Sequence, residues 1–298
     1  MAEIISADTF IERLLDGSKG ALVGREVRGN VSLRGQKIET SLRALDLTFW
    51  GEVDFSDCRF ERSLDLSGCS FAKTLSLRNS HIGGTLDLAG ICVRTEGSAT
   101  GTALAGTVSL DLRGMRIDGD LDLTRATVEY GTNPDSAGDR GGIYATGVRV
   151  GGRTSLLGIK TDNFVRFSGS SFAGEFTFGQ DAEDGARDGS ASIGRELALD
   201  NCSFAGNLSF QGGAIGTDLQ LWASKCDGVC FVRPFMKWKQ NEDMSYSITH
   251  IAPFSVLGQA NLANIRFDYI DIEALSVKKD LKVFAAEIGQ FKVKHGIS

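Results

Sequence analysis

Three aspartates, Asp65, Asp87 and Asp122, each follow a leucine (Leu64, Leu86 and Leu121) in a repeating context. Carboxylates brought together in space could act as the paired acids of a polysaccharide-cleaving enzyme. Stacked along a rod, they could instead present a line of negative charge like that of a nucleic-acid backbone. Cys226 and Cys230 are spaced CxxxC, but His81, His250 and His295 are scattered, which makes a poor ligand set for zinc. The stretch CFVRPFMKWKQNEDMSYSITHIAPFSV, beginning at Cys230, gathers Phe231, Arg233, Phe235, Trp238, Lys239 and Tyr246. Aromatic side chains with arginine are the anchors that protein-binding surfaces use. The chain lacks a GxSxG elbow, a P-loop, an HExxH helix and a GxGxxG at a strand–helix junction. The expectation is a non-catalytic protein with no cofactor.

The elements that must position these residues are short and periodic. From Gly51 to Val93 the chain reads GEVDFSDCRF, ERSLDLSGCSF, AKTLSLRNSHI and GGTLDLAGICV, with Val53, Leu64, Leu75 and Leu86 spaced by eleven. Apolar or small residues recur at offsets 0, 2, 5 and 7 of each module. Pairs such as Leu64–Leu66 and Leu86–Leu88 mark short strands with alternate residues inward. Modules can be followed from Val31 to Phe291, and paired modules give about ten coils of a parallel solenoid, an all-β fold. Glycines at offset 4 (Gly35, Gly68, Gly90) and at offset 9 (Gly84, Gly119, Gly152, Gly174, Gly206) are both expected to turn corners through left-handed backbone. Cys58, Cys69 and Cys202 share offset 5 and are expected as small apolar fillers in a reducing compartment.

Two inward residues and three outward, repeating about every five, resembles the pentapeptide-repeat family. The closest local match is Ala260-Asn-Leu-Ala-Asn followed by Ile265-Arg-Phe267, and ALVGREVRGNVSLRGQKI (from Ala21) looks like the entry to such a domain. The resemblance implies a right-handed, four-sided β-helix with roughly twenty residues per coil. The modules here hold mostly eleven residues, which departs from that pattern. Some members of the family mimic DNA and bind type II topoisomerases, so the resemblance also implies that gyrase inhibition or protection is open to this chain.

Residues 6–17 are expected to form a helix within an N-terminal cap spanning 1–24, with a single solenoid domain over 25–298. Insertions are expected near 94–109, 129–142, 184–196 and 238–259. Each follows an even-numbered module, which predicts that all four leave the solenoid at one corner. Offset 6 of successive odd modules carries Lys37, Arg59, His81, Arg116 and Arg149, a basic ladder that would face a polyanion, an acidic helix or only solvent. The acidic ladder Asp65, Asp87 and Asp122 falls on the next face.

The net charge of −6 argues against general nucleic-acid binding. No signal peptide or membrane-spanning run is evident, so a cytoplasmic location is expected. The sequence therefore supports a protein-binding scaffold that presents insertion loops and charged ladders, and a homodimer joined through its C-terminal coils. A topoisomerase-binding DNA mimic and a β-helix polysaccharide-active enzyme are the alternatives.

Overall fold

The computed structural model describes residues 3–15, 22–95, 110–130, 141–181, 190–240, 246–252, 254–272, 275–282 and 286–293. Leu42 pairs with Leu64, Leu64 with Leu86 and Leu86 with Leu121, all in parallel, so equivalent residues of successive coils stand in register. One coil contains the strands Val53–Asp54, Arg59–Phe60, Leu64–Asp65 and Ser70–Phe71, which define a first, second, third and fourth face. The first face is a 10-stranded sheet and the fourth an 11-stranded one; the second and third share an 18-stranded sheet. They become continuous because the strand Lys225–Arg233 runs across the corner between them. The protein is a parallel β-solenoid with a short N-terminal helix.

Strands of two residues are stable here because each coil buries its inward residues against the same residues of the next. Val53, Phe60, Leu64 and Phe71 are all buried. Aromatic rings continue the stacking, with Phe49 on Phe71 at 5.1 Å and Phe172 on Phe204 at 5.2 Å. The offset-4 residues do turn corners: Gly35, Gly68, Gly90, Asp57 and Asn79 all have positive φ. The offset-9 glycines have a different cause. Gly84, Gly119, Gly152, Gly174 and Gly206 are absent from the left-handed set among the described residues. They stack in a column where a Cβ would strike the coil before; at Gly119 it would lie 2.8 Å from the carbonyl carbon of Gly84.

The N-terminal cap is a strand followed by a helix. Glu3–Ser6 pairs in parallel with Arg25–Arg28 and extends the fourth face. Helix α1 (Ala7–Leu15) lies within the expected 6–17, of which residues 16 and 17 fall outside the described residues; Ser6 Oγ accepts the Thr9 N–H at 3.1 Å and so caps it. Phe10 is fully buried and meets Phe49 edge-on at 5.3 Å, which seals the first coil. Among the described residues no helix is long and apolar enough to cross a membrane.

The insertions do not share one corner. Two leave after Cys92–Thr95 and Thr127–Tyr130 and return at Leu110–Asp111 and Ile143–Tyr144, between the fourth and first faces. The other two leave after Phe176–Gly179 and Lys225–Arg233, between the third and fourth faces. Counting modules cannot separate these corners, because both fall between an even module's start and the next odd one. The expected insertions 184–196 and 238–259 also contain true coil strands. Ser192–Ile193 pairs with Lys160–Thr161 and Ala214–Ile215, and Phe254–Val256 continues the same face. The last insertion is an antiparallel hairpin of Phe235–Gln240 with Tyr246–Ala252.

Candidate functional site

The outward row of the third face runs Arg43, Asp65, Asp87, Asp122, Ser155, Thr177, Ser209 and Phe231, each paired in register with the next. The acidic ladder and Phe231, read from separate sequence motifs, therefore belong to one row. Phe231 stands one residue after the module start Cys230, as Asp65 does after Leu64, and that shared offset was the sequence signal for it. Arg233 lies over the Phe231 ring at 4.2 Å, a cation–π contact. Beyond Arg233 the chain enters the hairpin. Phe235, Trp238, Lys239 and Tyr246 lie on its two strands, with Gln240 opposite Tyr246, but their side chains lie outside the described residues.

The aspartates of the row first serve the fold. Asp65, Asp87 and Asp122 each accept the backbone N–H two residues on, from Ser67, Ala89 and Thr124, and so close the turn that follows each strand. Arg43 reaches Asp65 at 3.2 Å. Neither Asp87 nor Asp122 has an ion-pair partner among the described residues. Partial burial, followed by the charges of Asp65 and Asp122, holds the Asp87 carboxyl above its usual range.

Lys37, Arg59, His81, Arg116 and Arg149 also stand in register, on the second face. Most of this ladder is neutralised by a second, acidic row. Lys37 bonds Glu39 and Glu61, Arg59 bonds Glu61, and His81 and Arg116 both reach Asp118 at 2.8 Å. These contacts raise the Lys37 and Arg59 pKa values and lower those of Glu61 and Asp118. At Arg149 the equivalent acidic position is Gly151, and no ion pair forms among the described residues.

All six cysteines are free. Cys226 and Cys230 point inward from one strand and are buried, and burial raises the Cys230 pKa. No group of three or more His, Cys, Asp or Glu suited to a metal occurs among the described residues. The exposure of Trp238 falls outside the described residues; among those described, Trp50 is about half exposed and donates its indole N–H to Glu26 at 3.1 Å, and Trp222 is also exposed.

The third face also holds a groove that the repeat pattern did not reveal. It lies between Ala89 and Gln211, and its two sides are formed by the residues that enter and leave successive strands. At its exit side Arg125 pairs with the nearly buried Asp181, the last described residue before an insertion. The fold and this face define a charged, grooved β-solenoid. No family model, no curated protein and no solved structure matches the chain.

Proposed function

We propose that the protein is a non-catalytic scaffold of the pentapeptide-repeat type, which binds a protein partner on its third face. The observation that supports this best is the single row joining Asp65, Asp87, Asp122 and Phe231, with the hairpin rooted at its end. A flat, rigid row bearing charge at one end and an aromatic–arginine pair at the other suits recognition of a macromolecule. The buried free thiols favour a reducing, cytoplasmic setting.

The test is affinity capture from native cell extract, comparing the intact chain with Phe231→Ala and with a chain whose Phe235–Ala252 hairpin is replaced by a short Gly/Ser link. The expected result is a partner held by the intact chain and lost by both variants while their melting temperatures stay within a few degrees of it. A partner retained by both would remove the third face and hairpin as its site.

The topoisomerase reading draws on the same acidic row, but Arg43 already offsets Asp65 and the second face beside it is charge-paired. A homodimer through the C-terminal coils is also proposed. Its support is that Leu275–Val277, Asp280–Lys282 and Glu287–Val293 are each paired on one side only among the described residues. Sedimentation at micromolar concentration should give a dimer mass; a monomer would refute it.

A further inference from the structure

The third-face groove has a volume of about 850 Å³. Asp122, Ser155 and Thr177 belong to its outward row, Glu175 stands on its entry side and Gln180 on its exit side. Two of its ion pairs are internal: Arg153 with Asp120 at 3.5 Å, and Arg125 with Asp181. That leaves the carboxylates of Asp122 and Glu175 without a cation among the described residues, with Asp87 next to Asp122 in the row. The Thr124 N–H occupies only Oδ1 of Asp122, so Oδ2 remains for another donor.

One more group points the same way. Gln180 lines the groove, and its buried Oε1 has no hydrogen-bond partner among the described residues. Buried polar atoms without partners are costly and are ordinarily satisfied. The groove is thus rich in acceptors and net negative, and it wants donors carrying positive charge. Among the described residues it holds no aromatic side chain, so these offer no platform for the apolar face of a sugar.

We propose that this groove binds an extended, arginine-bearing segment of the partner protein. The proposal rests on the scaffold reading above and adds the partner's chemistry. A planar guanidinium with several donors can engage Asp122 Oδ2 and Glu175 or Gln180 together, where a neutral chain cannot.

The test uses the purified full chain and fluorescent peptides of alternating Gly-Arg, Gly-Gln and Gly-Glu, read by anisotropy. Gly-Arg should bind, weaken as salt rises and outcompete the others. The double variant Asp122→Asn/Glu175→Gln should weaken Gly-Arg binding about tenfold. Asparagine is tolerated at the Asp122 position, because the offset-equivalent Asn261 on the first face makes the same turn contact, to the Ala263 N–H. Ser155→Lys, which sets an ammonium on the floor, should block binding by a second route. The matched second-face variant Glu39→Gln/Glu61→Gln should leave binding unchanged. Equal binding by the groove variants, absent binding, or displacement by a neutral oligosaccharide would each overturn the assignment. Should the peptide fail while extract capture still depends on the hairpin, the groove proposal falls and the scaffold reading stands.

Discussion

Cys58 and Ser80, one coil apart, share a hydrogen bond that belongs to the turn of the earlier coil. The Cys58 N–H donates to Ser80 Oγ at 3.0 Å, and the same hydroxyl donates to the Phe55 carbonyl at 2.6 Å. The Ser80 hydroxyl thus sits inside the preceding turn, in place of the direct bond that closes other turns, such as Cys69 N–H to Leu66 O at 3.1 Å. Ser170 does the same between Val148 and Ala145, and Ser224 between Cys202 and Leu199. The thiols at this offset also donate: Cys69 Sγ to the Ala44 carbonyl at 3.0 Å and Cys202 Sγ to the Phe167 carbonyl at 3.2 Å. The expected apolar filler is a hydrogen-bonded clip between coils.

Ser80→Ala should therefore strand a buried N–H and a buried carbonyl. The loss of stability is expected at about 1–3 kcal/mol, read from urea unfolding. Ser80→Cys keeps a weak donor and should lose less. An alanine variant as stable as the native chain would show that the turn recloses on its own.

The two kinds of glycine should respond differently to a methyl group. At Gly119 the added Cβ would meet the backbone of Gly84 and Thr85 at 2.8–2.9 Å, and a parallel sheet on either side fixes that backbone. Gly119→Ala is expected to cost about 2–3 kcal/mol through this overlap. Gly147 has φ +71 and nothing within 4 Å of an added Cβ, so Gly147→Ala should cost only the backbone term of about 1 kcal/mol. Thermal unfolding of both variants orders them, and the reverse order would contradict the packed column.

The solenoid was legible because its signal is local and repeated. Leu64, Leu86 and Leu121 announce their own stacking, and so do the charges one residue behind them. The two glycine columns looked alike, since sequence shows the residue type but not whether φ or a neighbouring coil demands it. The corners were misread at Ser192–Ile193 and Phe254–Val256, where a two-residue strand carries too little pattern to stand out beside an insertion. The row shared by Asp122 and Phe231 could have been found from offsets alone. The groove could not, because the Arg125–Asp181 contact joins residues far apart in the chain whose approach depends on the path of the third face.

Thiol chemistry reports on the same packing. Burial pushes the Cys69 and Cys202 thiols up to about 12, which leaves almost no thiolate at neutral pH. Cys92 lies on the outward side of the fourth face and is only partly buried. Brief treatment of the native protein with iodoacetamide should modify Cys92 first, with Cys69 and Cys202 reacting only in denaturant. Peptide mass spectrometry gives the order, and early labelling of Cys69 would contradict its inward placement.

Asp87 lies between two like charges, and its pH dependence follows from that. Burial first, then Asp65 and Asp122, raise its pKa above the ordinary 3.8, against the opposing Ala89 N–H. The folded chain therefore binds this proton more readily than the unfolded chain does. Stability from this group falls as pH rises through the carboxylate range, and the cost persists at neutral pH. Asp87→Asn removes the charge while its Oδ1 can still accept the Ala89 N–H. The variant should be more stable than the native chain at neutral pH, and the difference should shrink with added salt and vanish as pH falls below 3.8. Urea unfolding across that range measures it. A variant less stable at neutral pH would mean that the carboxylate's hydrogen bond outweighs the repulsion along the row.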